Sequence, residues 1–477
     1  MYSLANYFKD KSVTLLGAGV SNMPLAAVLA DMCSSLTVRD RKNASELGSE
    51  GELLKALGAR LITGENYLDG LGGDFVFRSP GMRPDMPELK KAAENGSVIT
   101  SEMEFFLSLH PCPIYAVTGS DGKSTTTTLV SLMLEEGLEE RGNPDSSNVF
   151  LGGNIGKPLL DRYPLMKESD AVAVELSSFQ LMTIDADIDV AAITNITPNH
   201  LNWHTSMEEY IDAKKRILRH VSRAVLNFDN DVTRKIAEEV SSSGGVPIMY
   251  FSCYPIPSGA LRDCDSKIWL EDGVIYSEFP GEGRNEIMKR GDIKLPGLHN
   301  VANYMTAAAV TWGKVSPAGI RKIAMSFGGV RHRLEFVREL DGVRYINGSI
   351  DSSPTRTAAA LSAIFPAPTV LICGGYDKNI PYAPLAEAVY SSSVHTVVLT
   401  GATAGKIKAA LEDDPRYESG AVRVIENPDF EGAVRDARNA ASPGDTVILS
   451  PASASFDRFK NFEERGDYFK KLVLEFE

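Results

Sequence analysis

The 477-residue chain has only five cysteines. Cys33, Cys112, Cys253, Cys264 and Cys373 are scattered, odd in number and without CxxC spacing. They read as reduced, mostly buried thiols of a cytoplasmic protein rather than as a disulfide framework. No stretch approaches the ~18 uninterrupted apolar residues of a membrane span, so no membrane association is expected. The first ten residues are polar and lead through a short, glycine-broken apolar run into a first strand, which is not the pattern of a signal peptide. Basic residues are in deficit, with 49 Lys and Arg against 63 Asp and Glu for a net charge of −14. That disfavours nonspecific nucleic-acid binding, which needs a basic face to displace phosphate counterions. Anionic small molecules stay possible, because local cations, helix N-termini and metal ions create positive pockets. Internal repeats and low-complexity tracts are lacking as well.

Hydrophobic residues make up 43% of the chain, enough for several cores, and the length suggests about three domains at roughly 150 residues each. Short apolar runs alternate with amphipathic stretches, the pattern of an α/β protein with parallel sheets. The runs include Val13–Leu16, Phe75–Phe77, Ile114–Val117, Ala171–Val174, Ala191–Ile193, Val370–Ile372, Thr396–Leu399 and Thr446–Leu449. Pro111 and Pro113 mark one connector after His110, and Gly328–Gly329 mark another breaker. The expected blocks are therefore 1–110, 111–329 and 330–477.

The sharpest local signal is TGSDGKST, Thr118–Thr125, directly after the run Ile114–Val117 and before a helix-like stretch, Thr126–Glu136. Strand, glycine-rich loop and helix is the context of a phosphate-binding loop. Glycine lets backbone N–H groups close around phosphate oxygens, and the helix N-terminus adds positive partial charge. Gly119, Ser120, Asp121, Gly122 and Thr125 would form the cradle for ATP. Lys123 would meet the β/γ-phosphates and Ser124 would hold Mg²⁺. The loop is shorter than the usual phosphate loop, with two residues between Gly119 and Gly122. Glu175, Asn195 and His200 follow other apolar runs in the same block. Ligands of open parallel sheets collect at carboxyl ends of strands, so Ser124, Glu175 and His200 are expected to converge.

These segments, with GGNIG (Gly152–Gly156), ELSSFQL (Glu175–Leu181), NITPNHL (Asn195–Leu201), YIDAKKRI (Tyr210–Ile217) and LPGLHNVANYMTA (Leu295–Ala307), resemble the central domain of the Mur ligase family. VRHRLEFV (Val330–Val337), GGYDKN (Gly374–Asn379) and SPASASFDRFKNFEERG (Ser450–Gly466) resemble the C-terminal domain of its D-glutamate-adding members. The resemblance spans essentially the whole chain in order. It implies a three-domain α/β protein: an N-terminal Rossmann-like domain, a central P-loop ATPase-type parallel sheet and a C-terminal Rossmann-like domain. It also implies a reaction in which a carboxylate attacks the ATP γ-phosphate and an amine displaces phosphate from the acyl phosphate. The expected substrates are UDP-N-acetylmuramoyl-L-alanine and D-glutamate, and the expected enzyme is a cytoplasmic monomer.

Site roles follow from the same resemblance. Val20 and Ser21 would lie near the diphosphate, Asp40 and Arg41 near uracil, Ser79 and Gly81 beside the nucleotide, and Asn154 on the muramoyl part. By residues alone, GAGVSN (Gly17–Asn22) with Asp40 is an incomplete dinucleotide fingerprint. Asn300 and Asn303 would bond adenine, or alternatively cap a helix, and Arg333 would approach the phosphates. Lys123, His200 and Lys214 are the expected catalytic residues. Ser124, Glu175, His200 and Lys214 would hold Mg²⁺ at two sites, Lys214 as a carbamate. Without the resemblance, Lys214 reads as a surface lysine beside Lys215 and Arg216. Lys378, Ser455 and Phe462 would bind D-glutamate.

The chain departs from the family at Gly348 in YINGSIDSSPTRT (Tyr345–Thr357), where an aspartate associated with nucleotide binding is usual, with Asp351 nearby. Ile350 replaces a lysine of some members. Competing readings are a sibling ligase, a folylpolyglutamate synthase or an inactive nucleotide-binding partner. The lack of a DNPR motif argues against a diaminopimelate- or lysine-adding ligase, and the lack of NKxD against a GTPase.

Overall fold

The computed structural model describes all residues except 1–3, 20–21, 143–145, 200–202, 243–245, 296, 378–379 and 418–419. The chain divides into two compact units, Met1–Ser326 and Phe327–Glu477. Among the described residues, the strands form sheets of five, nine and six.

In the first unit, the five-stranded sheet is parallel throughout. Its order is Arg60–Thr63, Ser35–Asp40, Ser12–Leu16, Phe75–Phe77, Val98–Thr100. The first strand in sequence lies at the centre, so the loop after Leu16 opens at the point where the strand order reverses, the usual place for a ligand in such a sheet.

The nine-stranded sheet runs Asn285–Lys289, Val274–Glu278, Ser266–Glu271, Ile248–Ser252, Val221–Asn227, Ile188–Ile193, Ile114–Thr118, Ala171–Glu175, Val149–Gly153. Seven strands are parallel, and the hairpin Val274–Lys289 adds two antiparallel ones at an edge. Ile114–Thr118 is buried along its whole length, as a continuous apolar run must be when layers cover both faces of a parallel sheet. Its register pairs Val117 with Glu175 and Thr118 with Ile193. That pairing brings the phosphate loop, Glu175 and the segment after Ile193 to one sheet edge. The helix after the loop spans Lys123–Glu140, longer at both ends than the stretch Thr126–Glu136. Two threonines near its start bond back to carbonyls four residues earlier, Thr127 to Lys123 and Thr128 to Ser124, so their hydroxyls are satisfied within the helix. One apolar core runs from Leu4 to Ile256 through both sheets of this unit.

The second unit has a six-stranded sheet: Glu335–Leu340, Val343–Asn347, Thr446–Leu449, Thr369–Cys373, Val394–Leu399, Arg423–Glu426. Only the first pair is antiparallel. Two apolar clusters, one around Leu371 and Leu399 and one around Val370 and Phe469, cover its faces. Among the described residues, no helix is long and apolar enough to cross a membrane.

Candidate functional site

The phosphate loop is held by the loop after Ile188–Ile193. Ser120 N–H donates to Asn195 O at 2.8 Å, Asp121 N–H donates to Asn195 Oδ1 at 3.0 Å, and Thr194 Oγ1 donates to Asp121 O at 2.6 Å. Ser120 Oγ donates to Thr197 O and meets Tyr210 OH, both at 2.9 Å. Gly119 has φ +150°, and a Cβ there would collide with Thr194 Oγ1; Gly122 has φ +80°, and a Cβ there would collide with Asn303 Oδ1. Both positions exclude side chains by space as well as by backbone conformation. Lys123 opens the helix, and its Nζ donates to Ser120 O at 2.8 Å, folding the cation back over the loop. Ser124 is buried beside it.

Two groups face this loop. Glu175, 1% exposed, accepts at Oε1 from Asn154 Nδ2 at 2.8 Å. Its Oε2 is buried with no hydrogen-bond partner among the described residues. An orphaned carboxylate oxygen is costly unless a cation or donor completes it, so Glu175 fits a Mg²⁺ ligand. Among the described residues no cluster of three His, Cys, Asp or Glu side chains is present.

Lys214 lies in the last turn of the helix Met207–Lys215. It is 1% exposed and donates to Gly119 O at 2.6 Å and Thr118 Oγ1 at 3.3 Å, 4.8 Å above the Tyr210 ring. Burial, and then repulsion from Lys123, hold its pKa well below the ordinary lysine value. Lys215, the next residue, is a surface cation bonded to Glu239 at 2.8 Å. The contrast separates two adjacent lysines that look alike in the sequence.

Asn303 is buried against the loop. Its Oδ1 accepts from Thr126 Oγ1 at 3.3 Å, and its Nδ2 donates to Asn300 Oδ1 at 3.2 Å. Neither Asn caps the helix Leu298–Val310, whose N-cap is Gly297.

In the five-stranded sheet, Asp40 accepts from Ala18 N–H at 2.7 Å and from Lys42 N–H at 2.8 Å. A Cβ on Gly17 would lie 3.4 Å from Ser79 Oγ. The structure thus brings Gly17, Ala18, Asp40 and Ser79 together, with Arg41 exposed next to them. Asn154 lies apart, on the Glu175 edge.

In the second unit, Ser455 is buried. Phe462 begins the helix Phe462–Leu474, and its carbonyl accepts from Ser349 Oγ at 2.8 Å. Asp351 is buried and accepts from Ser450 Oγ at 2.9 Å; burial raises its pKa to about 6 against the pull of Ser450 and Arg333. Arg333 is exposed on the same unit. Val20, Ser21, His200 and Lys378 lie outside the described residues.

Three buried polar residues escaped the sequence reading. Asn22 donates to Leu16 O and Gly17 O, and Arg39 to the carbonyls of Tyr67, Asp69 and Gly70. Arg465, 2% exposed, donates to Ser349 Oγ and to the carbonyls of Ser349, Ser453 and Ala454. An Arg inside the otherwise strand-like SLTVRD was the available signal for Arg39. Arg465 sits in a charged stretch and had none.

The Mur ligase middle domain matches residues 117–311, and the Mur ligase glutamate ligase domain matches residues 332–453. The UDP-N-acetylmuramoylalanine--D-glutamate ligase of Acetivibrio thermocellus is 46% identical over 472 residues, 98% of this chain and 96% of its own length. That of Ruminiclostridium cellulolyticum is 44% identical over 471 residues, 98% and 97% of the two chains. The solved UDP-N-acetylmuramate-alanine ligase of Thermotoga maritima is similar in fold, with TM-score 0.51 at 18% identity over 98% of each chain. With near-complete coverage at such identity, and a phosphate loop built as described, this chain belongs to the Mur ligase family.

Proposed function

We propose that this chain joins D-glutamate to UDP-N-acetylmuramoyl-L-alanine at the expense of ATP, through an acyl phosphate, releasing ADP and phosphate in peptidoglycan synthesis. The observation that carries the proposal is the convergence of Lys123 and Lys214 on one glycine loop, with the orphaned Glu175 carboxylate on the strand paired to the one that enters it, in a chain whose full-length relatives carry that activity in their names. A carboxylate becomes an acylating agent only once its oxygen is a leaving group, so phosphorylation comes first. Positioning and charge neutralisation dominate such a transfer.

Ser124 and Glu175 would hold one Mg²⁺ and His200 a second, with Lys214, as a carbamate, among the metal ligands. When bound, the metal offsets charge on the phosphate oxygens. Lys123 neutralises the transferred phosphoryl group. Lys214 reacts as a neutral amine: its nitrogen adds to CO₂, a proton leaves to solvent, and the neutral amine becomes a carbamate anion. Its burial beside Lys123 supports this, since the free amine is the form burial favours.

Gly119–Thr125 with Asn300, Asn303 and Arg333 bind ATP. Val20, Ser21, Asp40, Arg41, Ser79, Gly81 and Asn154 bind the nucleotide substrate, and Lys378, Ser455 and Phe462 bind D-glutamate. The functional domains are 1–110, 111–329 and 330–477, and the enzyme works as a cytoplasmic monomer on small molecules, without nucleic acid or membrane. The test is phosphate release with ATP, UDP-N-acetylmuramoyl-L-alanine and a panel of amino acids. Release with D-glutamate and not with L-lysine or diaminopimelate is expected; equal use of L-lysine would overturn the assignment.

A further inference from the structure

The loop carrying Ser79–Gly81 and the helix carrying Lys214 are tied together by side chains that none of the roles above uses. Arg83 is the centre of the tie. Its Nη2 donates to Glu209 Oε1 at 2.8 Å and its Nη1 to Glu209 Oε2 at 3.2 Å, while Nη1 also reaches Trp203 O at 3.0 Å. Asp85 holds the opposite edge of the guanidinium, at 2.9 Å to Nε and 3.0 Å to Nη2. The return bond runs from Trp203 Nε1 to Gly81 O at 3.0 Å, and the guanidinium stacks 5.1 Å from the Trp203 ring.

Glu209 is the third residue of the helix Met207–Lys215, one turn and a half before Lys214 on a rigid rod. Its Oε2 also accepts from Thr205 N–H at 2.8 Å and lies 3.3 Å from Nδ1 of the buried His204. His204 Nε2 in turn meets Ser178 Oγ at 2.8 Å, three residues beyond Glu175. One carboxylate therefore fixes the candidate nucleotide loop, the Lys214 helix and the segment following Glu175. A bidentate Arg–carboxylate pair fixes orientation as well as distance, which a point-charge lysine cannot.

We infer that Arg83 and Glu209 are a positioning pair, coupling the loop that binds the nucleotide substrate to the helix that presents Lys214 at the phosphate loop. The inference rests on the reading that Ser79–Gly81 contacts that substrate. Neither residue touches reacting atoms. Their effect is to keep the substrate's carboxylate and the phosphate loop in register, where misplacement by about 1 Å costs on the order of 10²-fold.

The experiment is a double-mutant cycle on the full chain: Arg83→Gln, Glu209→Gln and both together, with Arg83→Lys, Ser79→Ala and, as a control, Arg435→Gln, which breaks a surface pair with Glu431 at 2.8 Å in the second unit. Steady-state constants for each of the three substrates and thermal melting are measured. Each single Gln variant is expected to lose about tenfold to 100-fold in kcat/KM for the nucleotide substrate, with KM for ATP and D-glutamate within about twofold of the parent. The double variant is expected to be no worse than the worse single, Arg83→Lys to fall between Arg83→Gln and the parent, and Arg435→Gln to match the parent. Additive losses, losses that follow melting temperature across the set, or an equal rise in KM for ATP would overturn the coupling. An unchanged KM for the nucleotide substrate in Ser79→Ala would instead overturn the loop assignment, and the inference with it, while leaving the ligase activity measured in the parent intact.

Discussion

Lys123 and Lys214 contact carbonyls of the same loop, Ser120 O and Gly119 O, yet only Lys214 is fully buried. If Lys123 meets the transferring phosphoryl group as proposed, Lys123→Ala is expected to lose about 10³-fold or more in rate; turnover within tenfold of the parent would rule out that role. Lys214→Ala is expected to be nearly inactive and partly restored by acetate, a carboxylate small enough for the vacated space. An intact-mass measurement showing unmodified Lys214 in fully active, liganded enzyme would refute the carbamate. Gly348 is a different case. Its backbone is not left-handed, so the obstacle to a side chain is spatial: a Cβ there would lie 2.7 Å from Asp351 Oδ2 and 2.8 Å from Leu449 O. Asp351 already fills that space. Asp351→Ala is therefore expected to raise KM for ATP and leave KM for D-glutamate unchanged, whereas Gly348→Asp restores it only in part, because Leu449 O remains. Asp351 also carries a pH signature. Its folded pKa of about 6 lies above the unfolded 3.8, so the folded state binds the proton more tightly. Its contribution to stability is present at low pH and is lost as pH rises through about 6. Asp351→Asn should then stabilise the protein more at pH 7.5 than at pH 5, by about 1.4 kcal/mol, read from denaturant unfolding; an equal effect at both pH values would show that the carboxyl is not held protonated by burial.

The phosphate loop and the helix Met207–Lys215 owe their geometry to short-range chemistry. Ser206 caps that helix by accepting from Glu209 N–H at 3.2 Å, so the residue that starts the helix also orients the carboxylate that Arg83 holds. Loop closure depends on two positive-φ glycines packed against Thr194 and Asn303. Gly119→Ala adds backbone strain of about 1 kcal/mol or more and a collision with Thr194 Oγ1. It is expected to raise KM for ATP at least tenfold with a lower melting temperature. Wild-type ATP kinetics in this variant would show that the loop does not hold phosphate in the shape described.

At the scale of the whole molecule, three α/β sheets each present loops at the carboxyl ends of parallel strands, which lets one chain offer separate anion-binding edges. A dicarboxylic amino acid needs two separated anion sites, which a lysine with hydroxyl and backbone donors would supply in the proposed D-glutamate site. D-Glutamate together with the nucleotide substrate is therefore expected to be required for phosphate release, with L-glutamate poor. Substantial release with L-glutamate would mean that the second unit does not read the configuration at the α-carbon.

Local pattern decided much of this protein. Apolar runs such as Ile114–Val117 and Val370–Ile372 specify buried parallel strands, because burial on both faces leaves no room for alternation. GKST after such a run specifies a glycine turn that opens a helix, because the glycines take the positive φ the turn needs and the helix former follows at once. What the sequence could not decide is which of two adjacent lysines is buried. Lys214 and Lys215 differ by about 100° around one helix, and only packing against Gly119 and Tyr210 turns the first inward. The same holds for Arg465 and for Arg83 with Glu209, whose partners lie 116 and 126 residues away in the chain. Local propensity carries no information about such distant partners; the tertiary fold alone brings them within hydrogen-bond distance.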